Sequence, residues 1–380
     1  MFGRSITILK LFGFEVKIDF SWIILALIIT WSLAQGLFPH YFKDLSITTY
    51  WWMGIFGALG LFFSIIFHEL SHSLIARKYG LPIKGITLFV FGGVAHMEEE
   101  PPSAKVEFLM AIAGPVSSIV LGLVFYAVQT LGKAGSWSVA ISGVIGYLAF
   151  INWILAGFNL LPAFPLDGGR VLRAALWKWK KNIRWATQVA SRVGTVFGIV
   201  LIIGGVFQLF SGNVIGGIWW FMIGMFLQNA ARMSYRQLIT RQALEGEHVR
   251  NFLKPNPITV LPSISVEELV EDYIYKYHYK MFPVVENDKL VGCITTRQIK
   301  HIPKAEWRIK KVGELALSCS TENVIEPDTD AIKALAVMNR TGNSRLMVVE
   351  GNKLIGILSL KDIMKFLSVK LDLEGYEEEN

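Results

Sequence analysis

Six stretches without Asp, Glu, Lys or Arg dominate the chain: 20–42, 45–67, 108–131, 134–166, 193–210 and 214–231. Each reaches the roughly 18 to 20 residues a helix needs to cross a hydrocarbon core. Only helices and closed barrels satisfy their own backbone hydrogen bonds in lipid, so these stretches predict six transmembrane helices. The segment 1–19 mixes charge with apolar residues and lacks a short apolar core before a small-residue cleavage site, so the first helix is expected to be retained. Basic residues alternate with the spans. Arg4, Lys10, Lys17, Arg77, Lys78, Lys84, Lys105, Arg170, Arg173, Lys178, Lys180, Lys181 and Arg184 fall on one side, against Lys43 and Lys133 on the other. The positive-inside bias then predicts a multi-pass cell-membrane protein with both termini cytoplasmic. The same clustering accounts for the net charge of +7, and no nucleic-acid-binding motif accompanies it, so nucleic acid is not an expected partner. Cys293 and Cys319 are the only cysteines. Both lie in the part read as cytoplasmic, where thiols stay reduced, and no disulfide is expected.

His68-Glu69-Leu70-Ser71-His72 closes the second uncharged stretch. Residues four apart share a helix face, so two imidazoles at this spacing can converge on one metal ion, with Glu69 beside them as general base. The bland alternative, two solvated helix histidines, fits poorly at the end of an apolar span, where ionisable groups are costly.

A catalytic zinc takes three protein ligands and keeps one open position. Asp167 is the only acid between 134 and 169, and it follows Pro162 and Pro165 and precedes Gly168 and Gly169. The prolines predict a helix break just before it, and the glycines allow the backbone to turn. By the predicted topology the second and fourth helices run the same way, so His68, His72 and Asp167 arrive near the same face. The alternative is that Asp167 only caps a helix at the interface.

Together, His68-Glu-Leu-Ser-His72, Asn159 and Leu166-Asp167-Gly168 resemble the site-2 protease family of intramembrane zinc metalloproteases, in its six-helix form with a C-terminal pair of CBS modules. The resemblance implies Zn2+ on His68, His72 and Asp167, Glu69 as base, and a role for Asn159 in holding the scissile carbonyl or orienting substrate. A buried Asn bonded to a neighbouring helix would look the same in sequence. The segment 84–100 is rich in β-branched and aromatic residues around Gly92-Gly93 and reads as a strand or hairpin. In the family, a similar edge is where an unwound substrate pairs. His96 within it reads as an ordinary interfacial residue. Ala113-Gly114-Pro115, similar to a family signature, is expected to interrupt and kink the third helix by packing alone.

Beyond about Arg241 an internal repeat begins: 282–295 aligns with 346–359 at an offset of 64 residues, each copy reading as strand, turn, strand, helix. These copies resemble CBS modules, which pair into one disc. Such pairs bind adenine nucleotides (ATP or AMP), with a Ser or Thr at the phosphates and an Asp three residues later on the ribose. Ser359 and Asp362 match. Thr295 matches too, but Gln298 stands where its acid would be. The alternative is a pair that only dimerises or shields the active-site mouth. The tail 374–380 is acidic and reads as disordered.

The expectation is thus a polytopic α-helical membrane protein with six transmembrane helices and a C-terminal α/β CBS-pair domain. Residues 1–240 form the zinc metalloprotease domain, 241–307 and 308–370 the two CBS modules, and 371–380 an acidic tail. It would work in the bilayer as an endopeptidase on transmembrane protein substrates, in regulated intramembrane proteolysis, with adenine nucleotide and a homodimer at the CBS pair. Two other classes compete: a CBS-regulated transporter with His68 and Asp167 on an ion path, and an idle adaptor that keeps zinc for structure. Only the peptidase needs Glu69.

Overall fold

A computed structural model describes residues 5–11, 13–81, 83–89, 92–97 and 100–373; the expected acidic tail at 374–380 lies outside them. Two compact units divide between Arg236 and Gln237.

In the first unit, strands β1 (Ser5–Leu11) and β2 (Phe14–Asp19) precede helix α1 (Phe20–Tyr41). Helix α2 (Ile47–Lys78) follows, then β3 (Ile83–Phe89) and β4 (Gly92–Met97). Helices α3 (Ala104–Ala134), α4 (Val139–Asn159), α5 (Asp167–Lys180), α6 (Ile183–Phe210) and α7 (Val214–Leu244) complete it. All but α5 are long and apolar enough to cross a membrane. Side chains such as Leu27, Ile203 and Phe207 stand mostly exposed on them. Apolar surface of that extent belongs against lipid, not water.

Asp19, Ser46, Ser103, Ser138 and Asn182 accept the orphan amides at the starts of α1, α2, α3, α4 and α6. Strands β1 to β4 pair in chain order, with β2 and β3 parallel because α1 and α2 carry the chain between them. The expected hairpin in 84–100 is β3–β4, antiparallel, with β4 at the sheet edge. Strands β1 and β2 add to the expected architecture, and Glu15-Val16-Lys17-Ile18-Asp19 alternates polar and apolar residues as a half-buried strand does.

Two expectations need correction. Pro115 lies inside a continuous α3, so Ala113-Gly114-Pro115 does not break that helix. The uncharged stretch 134–166 is not one helix: α4 ends at Asn159, and a loop over 160–166 leads into α5. Pro162 and Pro165 stop the helix as anticipated, but Asp167 begins a new helix instead of closing the old one.

The second unit holds two small sheets. β6 (Met281–Glu286), β7 (Lys289–Thr295) and β8 (Leu317–Ser318) form one. β5 (Lys254–Pro255), β11 (Lys353–Ser359), β10 (Arg345–Glu350) and β9 (Val324–Ile325) form the other. Helix α8 (Ala331–Thr341) and helix α9 (Leu360–Leu373) pack on the second sheet through Met338, Leu346, Val348, Leu358 and Ile363. The first copy buries Leu269, Phe282, Val284 and Ile294 in the same manner. The repeat extends to its irregularities: the hairpin slips register between Val284 and Val285 and again between Val348 and Val349. Asn287 and Asp288 take positive φ, as the mirror-type turns that match strand twist require.

Candidate metal centre

Helix α3 is the frame of the site, packed on α2, α4 and α5. Glu107, Met110, Gly114 and Ser118 recur at three- and four-residue intervals, so they form one stripe down its length. Each does something different there.

His68 and His72 project from α2 with ring centroids 4.9 Å apart. Both are buried, at 3% and 6% exposure. His72 Nδ1 lies 2.6 Å from the Met110 carbonyl oxygen. A carbonyl only accepts, so His72 donates from Nδ1, the tautomer that leaves Nε2 as the nitrogen able to bind a metal. His68 Nδ1 is 2.9 Å from Ser118 Oγ. Both Nε2 atoms face one oxygen of Asp167, at 3.0 Å from His68 and 3.2 Å from His72. The ligand-type atoms of all three residues lie within 4.8 Å of one another. Four zinc ligands at about 2.0 to 2.1 Å in a tetrahedron stand roughly 3.3 Å apart. Two imidazole nitrogens and a carboxylate at this spacing therefore fit zinc, and the bonds at each Nδ1 are the supports a metal-binding histidine needs.

Gly114 keeps the space into which these nitrogens point. A Cβ there would sit 2.2 Å from His72 Nε2 and 2.5 Å from His68 Nε2. Its role is thus more specific than general packing.

Asp167 opens α5, where the unpaired amides of a helix N-terminus favour a carboxylate. Gly168 and Gly169 do not serve as a flexible turn: neither has positive φ. Cβ atoms there would meet the Leu160 carbonyl oxygen at 2.2 Å and the Phe164 nitrogen at 2.3 Å, so glycine lets α5 lie against its own entry loop. Arg173, at 5% exposure, pairs with fully buried Glu107 on α3 and lies 3.3 Å from Glu100. Its guanidinium also covers the Phe164 ring at 5.3 Å. One buried cation thereby ties the helix of Asp167 to the helix that supports both histidines. Arg173, read above only as a topology signal, is occupied in this way.

Glu69 stands on α2 between the histidines, half-buried and within electrostatic range of His68, Asp167 and Arg170. Asn159 ends α4 and donates to the Leu155 carbonyl of its own helix at 2.9 Å. The asparagine that bonds a neighbouring helix is Asn152, fully buried, which donates to Ser64 Oγ on α2 at 2.9 Å. The His96 side chain lies outside the described residues.

Thr295 lines a cavity of about 490 Å³ with Lys280, Arg297, Arg345 and Ser320. Gln298 is taken up there, its Oε1 accepting from Thr295 N and Oγ1 and its Nε2 donating to the Leu315 carbonyl. Ser359 and Asp362 bond each other elsewhere, and Asp362 pairs with Lys254 at 3.1 Å. Cys293 is buried and Cys319 exposed, both free.

The model of peptidase family M50 matches residues 56–135 and 130–201, and that of the CBS domain matches 249–304 and 312–369. Rip3 of Mycobacterium tuberculosis is 33% identical over 365 residues, 95% of this chain and 92% of its own. A zinc metalloprotease of Methanocaldococcus jannaschii is 33% identical over 368 residues, 96% of both chains. The solved site-2 protease from the same archaeon is 31% identical, with a TM-score of 0.43, over 60% of this chain and 94% of its own. With a relative matched along nearly its whole length, and with six membrane-length helices and a two-histidine, one-aspartate cluster among the described residues, the chain belongs to the site-2 protease family of zinc metalloproteases, peptidase family M50, in its form with a tandem CBS domain.

Proposed function

We propose that the protein cleaves a transmembrane segment of another membrane protein near the cytoplasmic face, releasing a membrane-tethered regulator or clearing a peptide remnant. The observation that carries this reading is the approach of His68, His72 and Asp167 to a common point at the end of a membrane-length helix. His68, His72 and Asp167 would hold the ion. Zinc, when bound, supplies a water acidified to about pKa 7 and a Lewis acid for the peptide carbonyl. Glu69 is the carboxylate that would accept a proton from the attacking water and return it to the leaving amine. Asn159, at the end of α4, orients the substrate backbone. A helical substrate hides its peptide bonds, so it adds as a strand to the free edge of β4 before cleavage.

Both termini face the cytoplasm in this reading. A membrane-impermeant maleimide added from outside intact cells should then leave exposed Cys319 unlabelled until the membrane is opened. The CBS pair takes an adenine nucleotide at the Thr295 cavity, whose size suits a small ligand and whose Lys280, Arg297 and Arg345 suit phosphates. A homodimer through these modules is the assembly proposed.

The test combines elemental analysis with cleavage of a tethered reporter, for wild type, Glu69→Gln and Asp167→Ala. About one zinc per chain in the first two, lost or weakened in the third, is expected. Turnover should fall by roughly 10²- to 10⁴-fold in Glu69→Gln. Reporter cleavage by Glu69→Gln at the wild-type rate would overturn the mechanism, and no zinc in wild type would overturn the peptidase site.

A further inference from the structure

Between Gly168 and Leu244 the chain carries no acidic residue, while Lys178, Lys180 and Lys181 fall within four positions at the turn from α5 to α6. All three lysines are exposed, and among the described residues no carboxylate pairs with any of them. Trp179 is 70% exposed beside them. The Lys180 ammonium sits 4.9 Å from the Trp179 ring centre and 6.0 Å from that of Trp185, and the two rings meet edge-on at 6.1 Å. Helix α5 joins two membrane-length helices, so its far end lies where lipid headgroups begin.

Water is a poor surrounding for this turn. An exposed indole favours the interface, where its ring meets acyl chains and its N–H meets polar groups. Three cations without counter-charges favour an anion at the same depth. Lysines near an anionic bilayer surface each strengthen attraction to it. The rings hold Lys180 against the surface of the protein, and the left-handed Lys181 that ends α5 turns the chain back at that point.

We propose that this turn is a binding site for an anionic phospholipid, whose phosphate meets Lys178, Lys180 and Lys181 while its acyl chains lie along Trp179 and α6. The lipid then fixes the depth of the far end of α5, the helix whose first residue is Asp167.

The test uses the full chain in nanodiscs of phosphatidylcholine with phosphatidylglycerol, followed by release and native mass spectrometry of retained lipid. Wild type should retain phosphatidylglycerol in preference to phosphatidylcholine. Because each lysine contributes about fivefold at an anionic surface, K178Q/K180Q/K181Q should lower that preference by roughly 100-fold. K178R/K180R/K181R should keep it, and so should K289Q/K353Q/K361Q, which removes the same charge elsewhere. An unchanged monodisperse elution profile in detergent for each variant reports an intact fold. Equal retention of the two lipids by wild type would overturn the proposal, as would an undiminished preference in the glutamine variant. Displacement of the lipid by glycerol phosphate at equal concentration would assign the site to a free phosphate and overturn it as a lipid site.

Discussion

Replacing Gly114 by alanine sets two effects of opposite sign against each other. In a helix interior the change ordinarily stabilises by about 0.5 to 1 kcal/mol, because alanine loses less backbone freedom on folding. Here the added Cβ would lie 2.2 Å and 2.5 Å from the two histidine Nε2 atoms, where carbon contacts normally settle near 3.5 Å. The rings cannot pivot away freely, since His72 is bonded to the Met110 carbonyl and His68 to Ser118, on the same helix as the glycine. Overpacking of this kind costs about 1 to 3 kcal/mol. The larger effect wins: a net loss of about 1 to 2 kcal/mol is expected, with zinc affinity lower by roughly 10- to 100-fold, as when a ligand's support is disturbed. Gly157→Ala is the control. It is exposed on α4 with nothing within 4 Å of its would-be Cβ, so it should gain the helix term and leave zinc untouched. Thermal unfolding in detergent and zinc retention against graded chelators measure both quantities. If Gly114→Ala keeps wild-type zinc affinity and moves stability as Gly157→Ala does, the space at Gly114 does not constrain the ligands.

Arg173→Met leaves the Glu107 carboxylate buried without its partner and should destabilise by about 3 to 5 kcal/mol, whereas R173M/E107L should recover most of that in the same unfolding assay. Ser118→Ala frees His68 Nδ1 and should weaken zinc by roughly 10- to 100-fold in chelator competition, with little change in unfolding temperature. In the second unit, Asn251 donates to Glu247 at 2.9 Å and Lys370 at 3.2 Å, holding its carboxyl below the usual 4.5. This contribution, at most about 1 kcal/mol, is present above pH 4.5 and lost as pH falls through the lowered value. The difference between wild type and Glu247→Gln in urea-dependent proteolysis of 241–373 should therefore be present at pH 6 and shrink as the pH is lowered below 4.5.

The readable parts of this protein are those where one residue type carries the signal. Spans show as runs without charge, and H-E-x-x-H fixes its own geometry because the helix repeat does. Asp167 stands out as a lone acid in a long apolar segment. The loop over 160–166 was hidden for the same reason, since its residues are as uncharged as the helix before it. The contribution of Met110 is a backbone carbonyl, which leaves no mark on residue identity. That of Gly114 is an absence of atoms. Arg173 carries the same letter whether it marks topology or fills a buried pair, and only Glu107 opposite distinguishes the two. Asn152 and Asn159 are one residue type seven positions apart, and the structure gives the interhelical bond to the former. The CBS copies were legible down to the shared strands, because the same residues recur at one offset.

The stripe on α3 has a consequence for which changes the gene can tolerate. Glu107, Met110, Gly114 and Ser118 serve an ion pair, a carbonyl bond, a gap and a hydroxyl bond, all in one line. One inserted or deleted residue within 107–118 rotates everything beyond it by about 100° about the helix axis. No point substitution repairs that. Length, more than chemistry, is what inheritance must hold constant across these twelve positions.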